Sequence, residues 1–518
     1  MQEHAEVKRK ALIAAGLSGL VFVMLFATLH SPGLTWDEPY YLTTAQLFYF
    51  PWLQRLGTDA TQSEIILKYW SSEGTARGIF ALSHPPLGPL WIGITRWMAS
   101  PLLGDLVAGR LATAILFAGL VSLIFLYVAD RNDVASGIVS ALCLALSPRL
   151  FGHAHLAAMD LHVAALWFAS AICFAQGFKS PRLQPLAGLL VGAALLTKAT
   201  ALPLPFLLAG WAVLFHRKKA LRPCLFLLLA VPVFLSWPLM WVDTWEHLKG
   251  YAGFVQKRPQ ISVFYFGRSL ECANVPIHYP LIMFLLTTPL LVMAGFGHCI
   301  ISKVRTWKED PEQLLILGNL LAVFAIVSLP GVPRYDGIRL FLPLYPFLAA
   351  LAGPGLVSLW QVVATRWNLS GKSQHVVTAL LAIQLAWLAL MHPLYLSDYN
   401  PLAGGLPGAS RIGLETTYWC DVIDQQVIDF INETAPKGTA IGIFPYPKLV
   451  VLAHLDLGSF RKDLELVDYH KRPADWLILM HRRGMFGDRE QKLSQLQTAL
   501  FGRKKFGVTL CQVFELSR

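Results

Sequence analysis

Charge is what this sequence has little of. Only 14% of its 518 residues are Asp, Glu, Lys or Arg, against 55% hydrophobic, and mean hydropathy is +0.50. That charged share lies below the ordinary soluble range, which excludes a typical globular enzyme and points to a polytopic membrane protein. Acid is scarcer than base, with 32 Asp and Glu to 43 Lys and Arg and a formal net charge of +11. The excess does not make a nucleic-acid binder, because Lys and Arg fall in small clusters between apolar runs, as membrane topology demands. Cysteine is also sparse: seven residues with no CxxC or other metal-ligand spacing. Cys143, Cys173, Cys224 and Cys299 lie in apolar runs and read as small core residues. Cys272, Cys420 and Cys511 fall in polar stretches, and the sequence leaves open whether Cys420 and Cys511 pair in an oxidising compartment. A phosphate-binding glycine loop is absent, for Gly404 and Gly405 fit no such pattern.

What the chain has instead is long apolar runs. Residues 6–10 carry three basic side chains, and 11–29 form an uncharged run long enough to cross a bilayer. With no small-residue cleavage site after it, this run reads as a retained signal anchor with a cytoplasmic N-terminus. Further runs lie near 106–129, 134–151, 161–178, 183–199, 200–216, 220–242, 277–301, 312–330, 339–361 and 375–393. Together they predict roughly eleven spans. Threaded in alternation, they place Arg131, Lys179, Arg182, the 217–219 cluster, Lys303, Arg305, Lys308, Arg366 and Lys372 on one side, the cytoplasmic one. The first external loop, 31–105, is too polar to span and rich in aromatics, so it predicts interfacial helices, one over 38–49 and one starting after Leu87 and running through Trp91 and Arg96.

This threading collects the polar oddities on the outer face: Asp37, Glu38, His84, His153, His155, Asp160, Lys198, the 243–276 loop, Arg334, Asp336 and Arg339. An ionisable residue at membrane depth is costly and is by default a functional candidate. We read Asp37, in Thr35-Trp36-Asp37-Glu38-Pro39, as a catalytic base. The alternative is that the acidic pair opens a surface helix and meets its dipole. Lys198 could snorkel to the headgroups. Asp160 could cap the following span, and His84 could begin a helix ahead of Pro85 and Pro86. His153 and His155, two apart with no third ligand nearby, read as interfacial histidines rather than a metal pair.

Taken together, Thr35-Trp36-Asp37-Glu38, Ser83-His84-Pro85-Pro86-Leu87, Ser147-Pro148 leading to Asp160, and Leu196-Thr197-Lys198 resemble the membrane glycosyltransferases of the GT-C fold. Within them the sequence is most similar to the branch of protein O-mannosyltransferases and lipid A aminoarabinose transferases. The similarity covers the first half of the chain, extends to 334–346 and fades after about His392. It implies a mainly α, polytopic membrane helix bundle that transfers a sugar from a polyprenyl-phosphate carrier to an extracytoplasmic acceptor, with inversion. It implies Asp37, Glu38 and Asp160 as catalytic carboxylates, with Asp37 taking the acceptor proton, Glu38 orienting the acceptor or a metal ion and Asp160 completing an acidic wall. His84, Lys198, Arg334 and Arg339 become donor-phosphate contacts. His84 stands where some relatives carry a Lys, which weakens its case. A divalent ion held by Glu38 and His84 stays open. The partners implied are the donor lipid, the acceptor and membrane lipid, in the cell membrane of the organism.

From about Pro393 the texture changes to turn formers and short apolar runs such as 440–444 and 476–480. Residues 1–393 therefore read as the membrane glycosyltransferase domain and 394–518 as a small extracytoplasmic α/β domain. The aromatic segment 415–419 could stack on sugar or line an acceptor groove; ordinary linker packing is the alternative. A transporter would explain intramembrane charge but needs polar groups near the midplane and internal repeats, and neither is seen. A sensor or scaffold would explain an external domain but not the clustering of Asp37, His84, Asp160 and Lys198.

Overall fold

The computed structural model describes residues 2–55, 64, 84–256, 261–303, 309–368, 373–445, 448–495 and 499–516. Each of the eleven apolar runs meets a helix or a pair of helices. Five stretches are long and apolar enough to cross a membrane: His4–Phe26, Asp105–Arg131, Ala199–Leu235, Pro311–Ser328 and Leu344–Arg366. Two bent pairs raise that number to seven, and Asp160–Gln176, Leu183–Leu195 and Thr378–Met391 are shorter apolar helices. The difference from eleven full spans has local causes. Val134–Ala145 and Pro148–Ala154 meet at 71°, and Tyr279–Thr287 and Leu290–Lys303 at 113°. In each break a proline, Pro148 or Pro289, removes an amide donor and restricts the residue before it. The two runs expected at 200–216 and 220–242 are divided at Arg217, whose φ of 46° ends the Leu204–His216 helix.

The polar residues separate to the two ends of this bundle. At one end Arg131 donates to Asp310 at 2.6 Å and also to Glu312, Lys179 bonds Glu312 at 2.7 Å, and Lys10 bonds Asp130 at 2.9 Å. The Asp160–Gln176 helix begins in the opposite cluster, described below, and ends three residues before Lys179. Arg131 and Lys179 thus lie at the end of the bundle opposite that cluster.

Close packing of the helices relies on small residues, as is usual where backbones must approach within lipid. A Cβ on Gly353 would lie 2.0 Å from Ser140 Oγ, and one on Gly355 only 1.9 Å from the Gly295 carbonyl oxygen. The Leu344–Arg366 helix is therefore wedged between Val134–Ala145 and Leu290–Lys303 with no room for a methyl group.

The outer loop forms helices where the sequence predicts them. Glu38–Thr44 continues into a π-helical turn over Ala45–Tyr49, and Leu87–Leu103 follows the Pro-Pro pair. A second outer loop makes a hairpin, β1 (Ser262–Tyr265) with β2 (Arg268–Glu271), turned by Phe266 and Gly267 at positive φ. The C-terminal part holds a five-stranded sheet of β3 (Ala440–Phe444), β4 (Glu465–Val467), β5 (Trp476–Met480), β6 (Phe501–Lys505) and β7 (Val508–Glu515), in the order β4-β3-β5-β7-β6. Pairing is parallel for β3 with β4 and β5, and antiparallel for β7 with β5 and β6. Every residue of β5 is buried, as its unbroken apolar run requires of a central strand. Cys420 and Cys511 are both buried free thiols.

Between membrane helices and sheet runs a buried strap, 414–424, fixed to the outer loop by backbone bonds: Gly33 N–H donates to Asp421 O at 2.9 Å and Trp36 N–H to Trp419 O at 3.1 Å. Gly33 must be glycine, because a Cβ there would lie 2.3 Å from the Ile423 carbonyl oxygen.

The wedge predicts a selective sensitivity. Gly355→Ala forces backbone against backbone and should cost about 1–3 kcal/mol, read as a lower melting temperature in detergent. Gly297→Ala, which would meet nothing within 4 Å, should leave it unchanged or slightly higher.

Candidate active site

The site is assembled from four separated stretches around one arginine. Arg339, at the start of the Arg339–Phe341 turn, is 8% exposed and touches three carboxylates. Its Nη2 donates to Asp37, its Nε to Asp160 at 3.2 Å and its Nη1 to Asp336 at 3.0 Å. The other Asp160 oxygen accepts from Lys198 Nζ at 2.5 Å. The indole face of Trp419 closes over the guanidinium at 4.3 Å. Asp336 and Gly337 both have positive φ, 56° and 61°, a left-handed pair that turns the Asp336 side chain back onto Arg339.

The structural alternatives for three of these residues fail on geometry. Asp37 stands at the N-cap of Glu38–Thr44 but makes no capping bond; its carboxylate faces Arg339. Asp160 likewise engages two cations rather than the amides of its helix. Lys198, 9% exposed, points inward to Asp160 and does not snorkel. Burial pushes the Asp37 carboxyl above its ordinary pKa, with Asp160 and Asp336 adding to the rise, while Arg339 and Lys198 pull it down. A carboxylate raised in this way is a stronger base than an exposed aspartate once ionised.

Several expected residues have other work. Glu38 is completely buried and does not orient a substrate: Arg110 Nε and Nη2 grip its two oxygens at 2.7 and 2.8 Å. Thr35 N–H and Ala157 N–H, each at 2.9 Å, and Thr35 Oγ1 at 3.0 Å complete the shell. The same Arg110 binds the Leu29, Pro32 and Gly33 carbonyls. Glu38 is thus the anchor that fixes the exit of the first span, and its two oxygens are occupied. The reason is steric as well as electrostatic, since adjacent residues at a helix start point different ways and only Asp37 faces Arg339. A metal ion shared by Glu38 and His84 does not fit this arrangement, and among the described residues no group of three or more His, Cys, Asp or Glu is placed to hold one.

Arg334 is also corrected. Its guanidinium binds the carbonyls of Val327, Val275 and Leu329 at 3.0, 2.9 and 2.6 Å, stapling the second outer loop to the end of Pro311–Ser328. His84 lies near the site, edge-on to Tyr41 and Phe254 at centroid distances of 6.0 and 5.8 Å. Burial lowers its pKa to about 3, helped by the charges of Lys198 and Arg339, so it is a neutral imidazole at ordinary pH. Ser83, its neighbour in the motif, lies outside the described residues. His155 is held by Phe151 O and Thr28 Oγ1, whereas buried His153 packs 5.4 Å from Trp419, so the two do not converge. The 415–419 aromatics are no exposed sugar platform: Tyr418 and Trp419 are 2% and 1% exposed and belong to the strap.

Sequence reasoning missed four contributors. Arg110 carried a usable signal, a charge inside an apolar run, by the same rule that exposed Lys198. Trp419 stands in the 415–419 segment, where packing is the alternative to sugar stacking, and local sequence does not show that it covers Arg339. Arg482, bonded to Asp336 at 2.9 Å, and buried Arg149, over the Tyr399 ring at 4.6 Å, lie in unremarkable local sequence.

The profile of the dolichyl-phosphate-mannose-protein mannosyltransferase family matches residues 83–241, the part of the chain that carries His84, Asp160 and Lys198. No curated protein sequence matches the chain. Among solved structures, ArnT from Cupriavidus metallidurans bound to undecaprenyl phosphate aligns with a TM-score of 0.51 at 14% identity, covering 97% of each chain. The same protein in its apo state aligns at 0.54 and 13% identity, covering 98% of each chain. At that identity the likeness speaks for architecture, and its near-complete coverage includes the C-terminal sheet: the chain has the GT-C fold.

Proposed function

We propose that this chain is an integral membrane glycosyltransferase that moves a sugar from a polyprenyl-phosphate carrier to a hydroxyl acceptor at the extracytoplasmic face, inverting the anomeric carbon. The observation that carries the reading is the buried Asp37–Arg339–Asp160–Lys198 constellation at one end of a GT-C bundle. The ArnT structure with undecaprenyl phosphate and the mannosyltransferase profile support a lipid-phosphate donor.

In this reading Asp37 takes the proton of the acceptor hydroxyl as its oxygen attacks the anomeric carbon. The bond from that carbon to the donor phosphate breaks, and the polyprenyl phosphate leaves with the electron pair. Lys198 and Arg339 are the cations for the departing phosphate. Lys198 has three N–H donors, one of them on Asp160, so it can add a phosphate oxygen without releasing the carboxylate. Asp160 holds both cations in place, and neutral His84 offers one further hydrogen bond. Residues 1–393 form the catalytic membrane domain in this proposal and 394–518 the extracytoplasmic one, with the N-terminus in the cytoplasm.

Asp37→Asn keeps size and hydrogen bonding but loses basicity, so turnover should fall by about 10² to 10⁴-fold with folding and donor binding retained. A base must be ionised, so wild-type turnover should be lost as pH falls through a pKa above the usual carboxylate range, and Asp37→Asn should abolish that acid limb. Glu38→Gln, by contrast, should lose about 1–3 kcal/mol of stability, because a buried charge-assisted pair is broken. Near-normal sugar transfer by well-folded Asp37→Asn would defeat the assignment.

Lys198→Ala should weaken binding of the polyprenyl-phosphate sugar by about 1.5–3 kcal/mol, the usual share of one charge-assisted bond. Unchanged donor affinity would confine Lys198 to holding Asp160.

A reporter that fluoresces only in the cytoplasm, fused after Arg518, should stay dark. A bright fusion would put the site on the wrong face for an extracytoplasmic acceptor.

A further inference from the structure

Asp336 divides its carboxylate between two arginines. Oδ2 accepts from Arg339 at 3.0 Å, and Oδ1 accepts from Arg482 Nη2 at 2.9 Å. Both side chains of the second pair are at most 3% exposed. Arg482 stands two residues beyond β5, the central buried strand of the C-terminal sheet, and its own N–H bonds back to Met480 O. A second nitrogen, Nη1, donates to Tyr418 O at 2.5 Å, next to the Trp419 that covers Arg339. The guanidinium also lies 5.6 Å from the ring centre of Trp36, the residue before Asp37.

We infer that Arg482 is a positioning residue of the active site, through which the C-terminal sheet holds Arg339 against Asp37 and Asp160. Three carboxylates, Asp37, Asp160 and Asp336, meet three cations, Lys198, Arg339 and Arg482. Remove Arg482 and Asp336 keeps a single partner, so the Arg339 guanidinium is drawn toward Asp336 and away from Asp37. In a buried setting a cation shared among carboxylates follows the least compensated one. Arg482 is suited to the task because its planar fork reaches Asp336 and the Tyr418 carbonyl together, which a lysine amine on a flexible stem does not reproduce. It reaches no reacting atom and acts only through Asp336 and the Trp36 and Trp419 walls.

The inference rests on the glycosyltransferase reading, and its consequences separate from it. Asp37 is faced by Arg339, Lys198, Asp160, Asp336, Tyr40, Tyr41, Tyr335 and Cys420. If Arg339 withdraws, the Asp37 charge loses its nearest cation and a higher pH is needed to ionise it. Arg482→Met should therefore lower kcat by about 10- to 100-fold, as about 1 Å of misplacement does, and move the acid limb of the pH–rate profile up by about 0.5–1 unit. KM for the donor should rise with it, because Arg339 is also one of the two cations for the phosphate. Asp336→Asn should do the same, and the double variant should be no worse than either single one, since both break one chain of contacts. If Arg482→Met does not accumulate, Arg482→Lys keeps the buried charge and should show a smaller loss with the limb displaced the same way. A role confined to docking the sheet would lower the melting temperature with kcat per folded molecule and the acid limb unmoved, and that result in Arg482→Lys overturns the inference. Cryo-electron microscopy of Arg482→Lys in lipid nanodiscs tests it without turnover: Arg339 should leave Asp37, and an unmoved Arg339 rejects the role. Wild-type protein that transfers no sugar from polyprenyl-phosphate mannose, glucose, galactose or arabinose sinks the glycosyltransferase reading, while that structural measurement still decides on Arg482.

Discussion

The site depends on one buried guanidinium serving three carboxylates that the chain delivers from far apart. Asp37 follows the first span, Asp160 opens a later one, and Asp336 precedes Arg339 by three residues. Taking such charges out of water is expensive, and the attraction between them offsets that cost only when each is paired and hydrogen-bonded. That requirement explains the surroundings. Lys198 balances the second Asp160 oxygen, Arg482 the second Asp336 oxygen, and an indole face seals Arg339. Of the three carboxylates, Asp37 has the most exposed side chain, at 20% against 4% and 2%. It is therefore the least enclosed of the three.

The neighbouring carboxylates at 37 and 38 show how one backbone turn divides chemistry from scaffolding. Glu38 faces Arg110 and is saturated; Asp37 faces the opposite way into the charged cluster. The Arg110 clamp collects the 29–33 carbonyls and the Ala157 amide, so it fixes the loop after the first span to the segment before Asp160. Two of the three acids thus owe their relative position to a pair that stands outside the charged cluster. Such a clamp suits a site at a membrane boundary, where loops lack the packing that orders a soluble core.

The C-terminal sheet belongs to the same construction. The 414–424 strap pairs with the outer loop through Gly33 and Trp36, and Arg482 extends from β5 into the charge balance. A module of different texture from the membrane part reaches the acids both through backbone and through charge, which makes its removal a matter of active-site geometry as well as of stability.

Much of this was written locally in the sequence. Apolar run lengths mark the membrane helices, the prolines at 148 and 289 mark the breaks, and the short apolar runs at 440–444 and 476–480 mark two strands of the sheet, because each depends on a residue and its near neighbours. The rarity of charge in such a chain made Asp37, Asp160, Lys198 and Arg339 stand out, since burying an ionised group must be repaid by function or by a partner. What the sequence by itself could not determine was which partner. Glu38 and Arg334 carry the same charges as Asp37 and Arg339, yet tertiary contacts gave them Arg110 and three carbonyls. Arg482 looked like one basic residue among several after a strand, and only the docking of the sheet brought it to Asp336. Charge and hydropathy are properties of residues one at a time, whereas the pairing of charges across roughly three hundred positions of chain is decided by how the helices pack.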